Sequence, residues 1–278
     1  MKGFKYYKPQ SLKEASELLK EYNGEAHILN GGTDLIIRMK ENFLHPKAVV
    51  DIKHIPGLHA ITFDKEDGLR IGACLSLGTI AHHRDVVENF PIIADSAEVV
   101  GSGQIRNRAT LVGNICNASP LADTATPLLA LDAEVIIYSP NGTKLISIHH
   151  FFKGVRKNCL NVGEIVTGIK IPYSKNLKGA FKKGSRRQDV DLSTVCTSVV
   201  KINDEIRIAL GAVAPTPIRG KMAEAFAKGK NLTHETITEI AKIAVAEASP
   251  IDDVRSSKEY RLHMVEVLVT RSLEELKV

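Results

Sequence analysis

Residues 109–127, Ala-Thr-Leu-Val-Gly-Asn-Ile-Cys-Asn-Ala-Ser-Pro-Leu-Ala-Asp-Thr-Ala-Thr-Pro, constrain the fold of this chain more than any other stretch. The run has no aromatic side chain, and its polar residues are small: Thr110, Asn114, Asn117, Ser119, Asp123, Thr124 and Thr126. A solvated loop would carry more Lys and Glu, and a core segment more Leu, Ile and Val. Small polar residues around a glycine, here Gly113, are what a chain uses to bring main-chain N–H groups close to a ligand. Residues 28–35, Ile-Leu-Asn-Gly-Gly-Thr-Asp-Leu, have the same character. Two such loops, each beside strand-like residues, point to an extended phosphate-bearing ligand held at two places.

The flanking pattern supports this. Ser11 and Glu14 form a capping box, followed by Leu12, Ala15, Leu18, Leu19 and Tyr22 on one helical face, with Gly24 as the stop. Residues 26–29 read as a strand running into Gly31-Gly32, Thr33 or Asp34 as the cap of a turn through Arg38, and 49–52 as a second strand. That is a small α/β unit with its glycine turn at a strand end, where ligands bind in such units. Further on, 69–74 reads as a strand and 79–89 and 92–100 as helices. Residues 134–138 and 143–148 give a hairpin signal, and 164–171 another strand. The segment 172–179 reads as a boundary. After it come strands at 180–183, 192–202 and 205–213, then helices at 221–228, 236–248 and 258–276. Strands followed by helices in one segment indicate an α+β domain.

Composition narrows the function. The chain has 278 residues, enough for one large or two medium domains, and its 44% hydrophobic and 25% charged content are those of a globular protein. The net charge of +5 is spread along the chain, so no nucleic-acid footprint is expected. No window approaches the ~20 apolar residues of a membrane span, and the basic start lacks the apolar core of a signal peptide. A cytoplasmic location is therefore expected. Cys74, Cys116, Cys159 and Cys196 lie far apart, with no metal-knuckle spacing. Iron–sulfur chemistry would have to come from another chain, and no metal ligands or catalytic side chains are expected here.

Familiar phosphate motifs are absent. Gly31-Gly32-Thr33-Asp34 lacks the Lys of a P-loop, and Arg106 stands where G-x-G-x-x-G needs its last glycine. The physical reading rests on consecutive amides around Asn30 to Asp34 as an anion nest, with Thr110, Gly113 and Asn114 as a second nest. A tight turn without a ligand is the plain alternative for Gly31-Gly32. The adjacent pairs His82-His83 and His149-His150 point to different sides and read as surface or capping residues. Lys182-Lys-Gly-Ser-Arg-Arg187 is the densest basic cluster.

Taken together, Asn30-Gly-Gly-Thr-Asp-Leu35, Gln104-Ile-Arg-Asn107 and residues 110–123 resemble the FAD loops of a known family. Residues 181–189, 214–219 and 257–263 resemble its C-terminal domain. The family is the FAD-binding subunit of xanthine dehydrogenase and related molybdenum hydroxylases, and the likeness covers nearly the whole chain. It implies an α+β protein. Residues 1–175 would be a FAD-binding domain of PCMH type, vanillyl-alcohol-oxidase-like, with two α/β lobes at about 1–55 and 56–175. Residues 176–278 would be a CO-dehydrogenase-flavoprotein-like domain with a small antiparallel sheet and a helical bundle.

The resemblance also assigns roles. His27, Ile28, Leu29, Asn30, Gly31, Gly32, Thr33 and Asp34 would wrap the FAD diphosphate. Ala109, Thr110, Leu111, Gly113, Asn114 and Cys116 would hold the diphosphate and ribityl region, and Asp123 would fix polar groups of the dinucleotide. Ile165 and Val166 would pack near the isoalloxazine, Val100 on its other side, and Lys182 would reach it from the C-terminal domain, with Asp189 on the loop beside it. The partners implied are a [2Fe-2S] iron-sulfur subunit and a molybdopterin-binding large subunit, with NAD or another acceptor taking the electrons. Nicotinate, aldehyde and carbon monoxide dehydrogenases share the pattern, and a nucleotide-binding regulatory module without redox activity is the reading from another class. Two departures are visible: Val112 replaces the first glycine of the family's Gly-Gly-Asn, and Val155 stands where some NAD-using relatives carry an aromatic residue.

Overall fold

A computed structural model of the chain describes residues 1–187 and 190–277. It begins with β1 (Lys5–Tyr7), α1 (Leu12–Glu21), β2 (Ala26–Leu29), α2 (Leu35–Lys40) and β3 (Ala48–Asp51). The strands form a parallel sheet in the order β1-β3-β2. The expected capping box is present in shifted form. Ser11 Oγ accepts the Glu14 amide at 3.1 Å, while Glu14 Oε2 accepts the amide of Gln10, at 2.8 Å. The helix ends through Asn23 and Gly24, both at positive φ. Strand β1 was not legible as a strand: it is three residues long and mostly exposed, so it lacks an apolar signature.

The second lobe starts with β4 (Ile61–Asp64) and β5 (Gly68–Gly72). Six short helices follow: α3 (Leu77–His82), α4 (Arg84–Asn89), α5 (Pro91–Glu98), α6 (Gly103–Arg106), α7 (Leu111–Cys116) and α8 (Ala125–Ala130). Then come β6 (Glu134–Ser139), β7 (Gly142–Ser147), the ribbon β8 (Phe152–Gly154) and β9 (Lys157–Asn158), and β10 (Ile165–Ile171). The main sheet is antiparallel in the order β4-β5-β10-β6-β7, so its last strand in sequence is central. The single helix expected over 79–89 is broken at His83, whose backbone is extended (φ −70°, ψ 129°). Beyond the break Val86 and Phe90 are fully buried, with the Phe90 ring edge-on to Phe63 and Tyr173.

The small-residue stretch is largely helical. Every residue of α8 is buried, because it packs between the second lobe and the C-terminal sheet. Alanines, threonines and a proline suit a helix enclosed on all sides, where larger side chains would not fit.

The C-terminal domain contains β11 (Leu177–Gly184), β12 (Val195–Ile202), β13 (Glu205–Gly211) and β14 (Ile218–Arg219), antiparallel in sequence order. It continues with α9 (Lys221–Ala227), α10 (His234–Glu247) and α11 (Lys258–Glu275). The fold is thus α+β, as expected. Strand β12 is buried on both faces. Cys196 and Val200 join the core of the N-terminal part, whereas Val195 and Val199 join the core under α10 and α11. Period-two alternation sorts one strand between two cores. No helix among the described residues is long and apolar enough to cross a membrane.

Asp132, just after α8, links the parts electrostatically. Its Oδ1 accepts His149 Nε2 at 2.6 Å and Arg219 Nη1 at 2.8 Å, and its Oδ2 lies 2.8 Å from Arg207 Nη1. Partial burial would raise its pKa, but His149 and the two guanidiniums outweigh that and hold it at about 2. A depressed carboxylate pKa contributes stability that is present above the ordinary value of about 4 and lost as pH falls through the folded value. Since Asp132 is 40% exposed, the contribution is on the order of 1 kcal/mol after screening. Asp132→Asn should remove that loss. Urea midpoints measured from about pH 5 to pH 2 should fall less steeply than in the wild type, and parallel profiles would refute the assignment.

Candidate cofactor site

The first loop follows β2, whose Leu29 pairs in parallel with Asp51 of β3. Asn30 is buried; its Nδ2 donates to the carbonyl of Ala73 at 2.6 Å, and its Oδ1 has no partner. Gly31 crosses the second loop so closely that a Cβ would stand 2.3 Å from the carbonyl oxygen of Arg108 and 3.0 Å from Cα of Ala109. Gly32 has φ +82°, where a side chain is strained. The main-chain amides from Gly31 to Leu35 donate to no protein acceptor among the described residues. The loop therefore presents consecutive free donors at the start of α2, the arrangement that binds anions.

The second loop is built differently from the free nest expected of it. Thr110 caps α7: its Oγ1 accepts the Gly113 amide at 2.9 Å, and its carbonyl accepts the Asn114 amide at 2.9 Å. Asn114 Oδ1 accepts Thr124 Oγ1 at 2.6 Å. These groups brace the loop, which leaves the Asn114 Nδ2 donors and, among the described residues, the amides of Leu111 and Val112 for a ligand. The cause is local: a Thr before a helical run takes up one first-turn amide, here that of Gly113, itself.

Between the loops lies a cavity of about 650 Å³, within the rough 300–1,000 Å³ range of ligand sites. Of the expected residues, His27, Ile28, Asn30, Gly31, Gly32, Thr33, Asp34, Val100, Ala109, Thr110, Gly113, Asn114, Cys116 and Val166 line it. The C-terminal domain contributes Leu192, an exposed apolar side chain. The wall also includes Leu121 and Ala122 of the second loop, and Arg38 and residues 160–164, which the sequence patterns did not single out as site residues. Arg38 could have been found from the chain, being one helical turn beyond the glycine loop. Leu192 and 160–164 could not, because only the tertiary fold brings them here.

Family models match both parts of the chain. Residues 2–174 fit the FAD binding domain in molybdopterin dehydrogenase, and residues 179–276 fit the CO dehydrogenase flavoprotein C-terminal domain. The chain belongs to the FAD-binding subunits of the molybdenum hydroxylases. It is 32% identical to the xanthine dehydrogenase FAD-binding subunit of Escherichia coli O157:H7, covering 97% of this chain and 94% of that protein. It is also 32% identical to the glyceraldehyde dehydrogenase medium chain of Sulfolobus acidocaldarius, covering 98% of each. Among solved structures, a carbon monoxide dehydrogenase from Hydrogenophaga pseudoflava superposes with TM-score 0.94 at 31% identity, covering 98% of this chain and 96% of that one.

The cofactor of this FAD-binding subunit fits the cavity on its own evidence. The orphaned Asn30 Oδ1, the free amides of 31–35 and the bare Gly31 crossing are all what a tightly held dinucleotide would use. Five expected residues stand outside the wall. Leu111 and Ile165 are core residues, and the Leu29 side chain sits beneath Gly32. Ile165 is displaced by strand alternation: its neighbour Val166 takes the cavity side.

Asp123 lies behind the wall, buried. Its Oδ2 accepts Lys183 Nζ at 2.9 Å, its Oδ1 accepts Ser193 Oγ, and Lys183 also donates to the carbonyl of Val99 at 3.0 Å. Burial pushes the Asp123 carboxyl up, and Lys183 and Ser193 pull it back down. Lys182 is on the opposite face of β11, paired with Glu275 of α11. The expectation that Lys182 faces the flavin is corrected by strand parity. Odd-numbered Phe181 and Lys183 face the FAD-binding part, and even-numbered Ala180 and Lys182 face the helices. Asp189 lies outside the described residues.

Proposed function

We propose that this chain is the FAD-carrying electron-transfer subunit of a cytoplasmic molybdenum hydroxylase of xanthine dehydrogenase type. It would pass electrons from [2Fe-2S] clusters of a partner subunit to NAD or another acceptor, with hydroxylation on a separate molybdopterin-binding subunit. Its division into FAD-binding and C-terminal domains would fall near residue 175. The observation that carries this reading is the two-loop cavity closed by a residue of the C-terminal domain. The full-length likeness to a xanthine dehydrogenase subunit supports the xanthine type.

Bound FAD supplies the redox chemistry, and the protein supplies position and surroundings. The amides of Gly31 to Leu35 would hold the diphosphate, and Asn30 Oδ1 and Asn114 Nδ2 would orient polar groups of the dinucleotide. Val100, Val166 and Leu192 would form apolar walls that exclude water from the ring. The buried Lys183–Asp123–Ser193 link, bonded through Lys183 to the carbonyl of Val99 and adjoining Leu192 in sequence, would fix the two domains' walls in register.

His27 and Cys116 line the cavity, but burial favours the neutral imidazole of His27 and pushes the Cys116 thiol up to about 12, away from the reactive thiolate, so FAD should be held non-covalently and released by denaturing precipitation. Flavin pelleting with the protein would contradict this. Purified from its native source, the chain should come with an iron–sulfur subunit and a molybdenum subunit. That complex, assayed against xanthine, nicotinate, aldehydes and carbon monoxide, should prefer xanthine. Preference for another substrate would reassign the type, and hydroxylation by the isolated chain would refute the subunit role.

A further inference from the structure

Arg38 is the only Lys or Arg side chain in the wall of the FAD cavity among the described residues. Three arginines have no side-chain partner among the described residues: Arg38, Arg108 and Arg271. Arg108 and Arg271 are exposed, and only Arg38 is half-buried. A guanidinium withdrawn from water without a counter-ion is costly unless something else supplies the negative charge.

The other charged groups of the wall do not supply it. Glu164 is engaged by Lys144 Nζ at 2.5 Å and by the Asn161 amide at 2.9 Å. Asp34 is exposed at the cap of α2 and forms no ion pair with Arg38. His27 is held toward its neutral form by burial and, secondarily, by Arg38 itself.

Position along the helix aims it at the loop. Arg38 lies four residues after Asp34, one turn into α2, on the face that carries Asp34 and Leu35 into the wall. Helical side chains lean toward the N-terminus, which directs Arg38, itself part of the cavity wall, back toward the free amides of 31–35. Those amides are neutral donors, whereas a diphosphate brings two negative charges. A planar guanidinium matches phosphate oxygens two at a time.

We propose that Arg38 is the cationic ligand of the FAD diphosphate, closing over the phosphates that the amides of Gly31 to Leu35 hold from below. The inference rests on the FAD reading of the cavity and adds one residue's role to it.

The test is FAD titration of the flavin-stripped full chain, by calorimetry, at low and high salt. Arg38→Gln should weaken FAD binding by ~10–100-fold, as loss of a charge-assisted contact does. Its salt dependence should be shallower than the wild type's, because a phosphate contact has been lost. Arg38→Lys should recover part of the affinity, since it keeps the charge and loses the fork. The melting temperature of flavin-free Arg38→Gln should match that of flavin-free wild type. Unchanged FAD affinity in Arg38→Gln would overturn the inference. So would weaker binding with an unchanged salt dependence or a lowered flavin-free melting temperature, which would mark a structural role. Failure of the wild type to bind FAD would instead overturn the FAD reading, and this inference with it.

Discussion

Gly31→Ala should cost the subunit its stoichiometric FAD, with affinity falling by about 100-fold or more, the range that overpacking at a rigid contact reaches. The added Cβ would stand 2.3 Å from the carbonyl oxygen of Arg108, a main-chain atom that cannot rotate away. The two loops must then separate by roughly an ångström to restore van der Waals contact. That separation displaces the free amides of 31–35 from the groups of the second loop, and the site no longer matches one dinucleotide. Gly32→Ala is the informative comparison. Its strain comes from φ +82°, worth about 1–2 kcal/mol, and its close neighbour is only the Leu29 Cδ1 methyl, at 2.9 Å. A side-chain end can give way, so Gly32→Ala should retain more FAD than Gly31→Ala. Thermal melts with added FAD provide the measurement, because a ligand stabilises only the state that binds it, by about 2.7 kcal/mol at a hundredfold excess over Kd. The wild type should shift, Gly32→Ala shift less, and Gly31→Ala hardly at all. A full shift in Gly31→Ala would show that the loop crossing is irrelevant to the cofactor.

Gly31 also shows what the chain reveals before its fold is known. Asn30-Gly-Gly-Thr-Asp34 announces a backbone doing unusual things at a strand end, and it does. That Gly32 owes its identity to φ and Gly31 to the passage of Arg108 is not visible, because the second fact depends on a segment more than seventy residues away. The stretch 109–127 misleads in the opposite sense. Its small polar residues look like a ligand loop throughout, but Thr110, Gly113, Asn114 and Thr124 mostly satisfy one another, and 125–130 form a wholly enclosed helix. Smallness there reflects crowding by the C-terminal sheet and α5 as much as proximity to FAD. For β11 the decisive signal was present in the chain. Phe181 belongs to a core, and the residue two further on must share its face; that residue is Lys183.

The parity of β11 makes the two lysines differ sharply under substitution. Lys183 and Asp123 have side chains only 9% and 7% exposed, so Lys183→Met leaves a carboxylate buried without its cation. Breaking such a pair from one side costs about 3–5 kcal/mol. The Lys182–Glu275 pair is 33% and 50% exposed, and surface pairs of that kind contribute about 0–1 kcal/mol. Lys183→Met should therefore lower the unfolding free energy severalfold more than Lys182→Met. The pH dependence separates this mechanism from simple loss of packing. Burial already pushes the Asp123 carboxyl up, and removing Lys183 removes the main influence holding it down. The penalty in Lys183→Met arises where the unfolded chain carries Asp123 ionised, above about pH 4, and should shrink on acidification as both states bind the proton. Replacing both partners, Lys183→Met with Asp123→Leu, should restore much of the stability, since no unpaired charge is left. FAD should follow the same order. Lys183 Nζ holds the carbonyl of Val99 and Asp123 holds Ser193, so the pair anchors the neighbours of Val100 and Leu192, which line the cavity from the two domains. Lys183→Met should lose flavin on gel filtration, and Lys182→Met should keep it with an unchanged midpoint potential. A shifted potential in Lys182→Met, with Lys183→Met as stable as the wild type, would mean that the strand presents its other face to the cofactor.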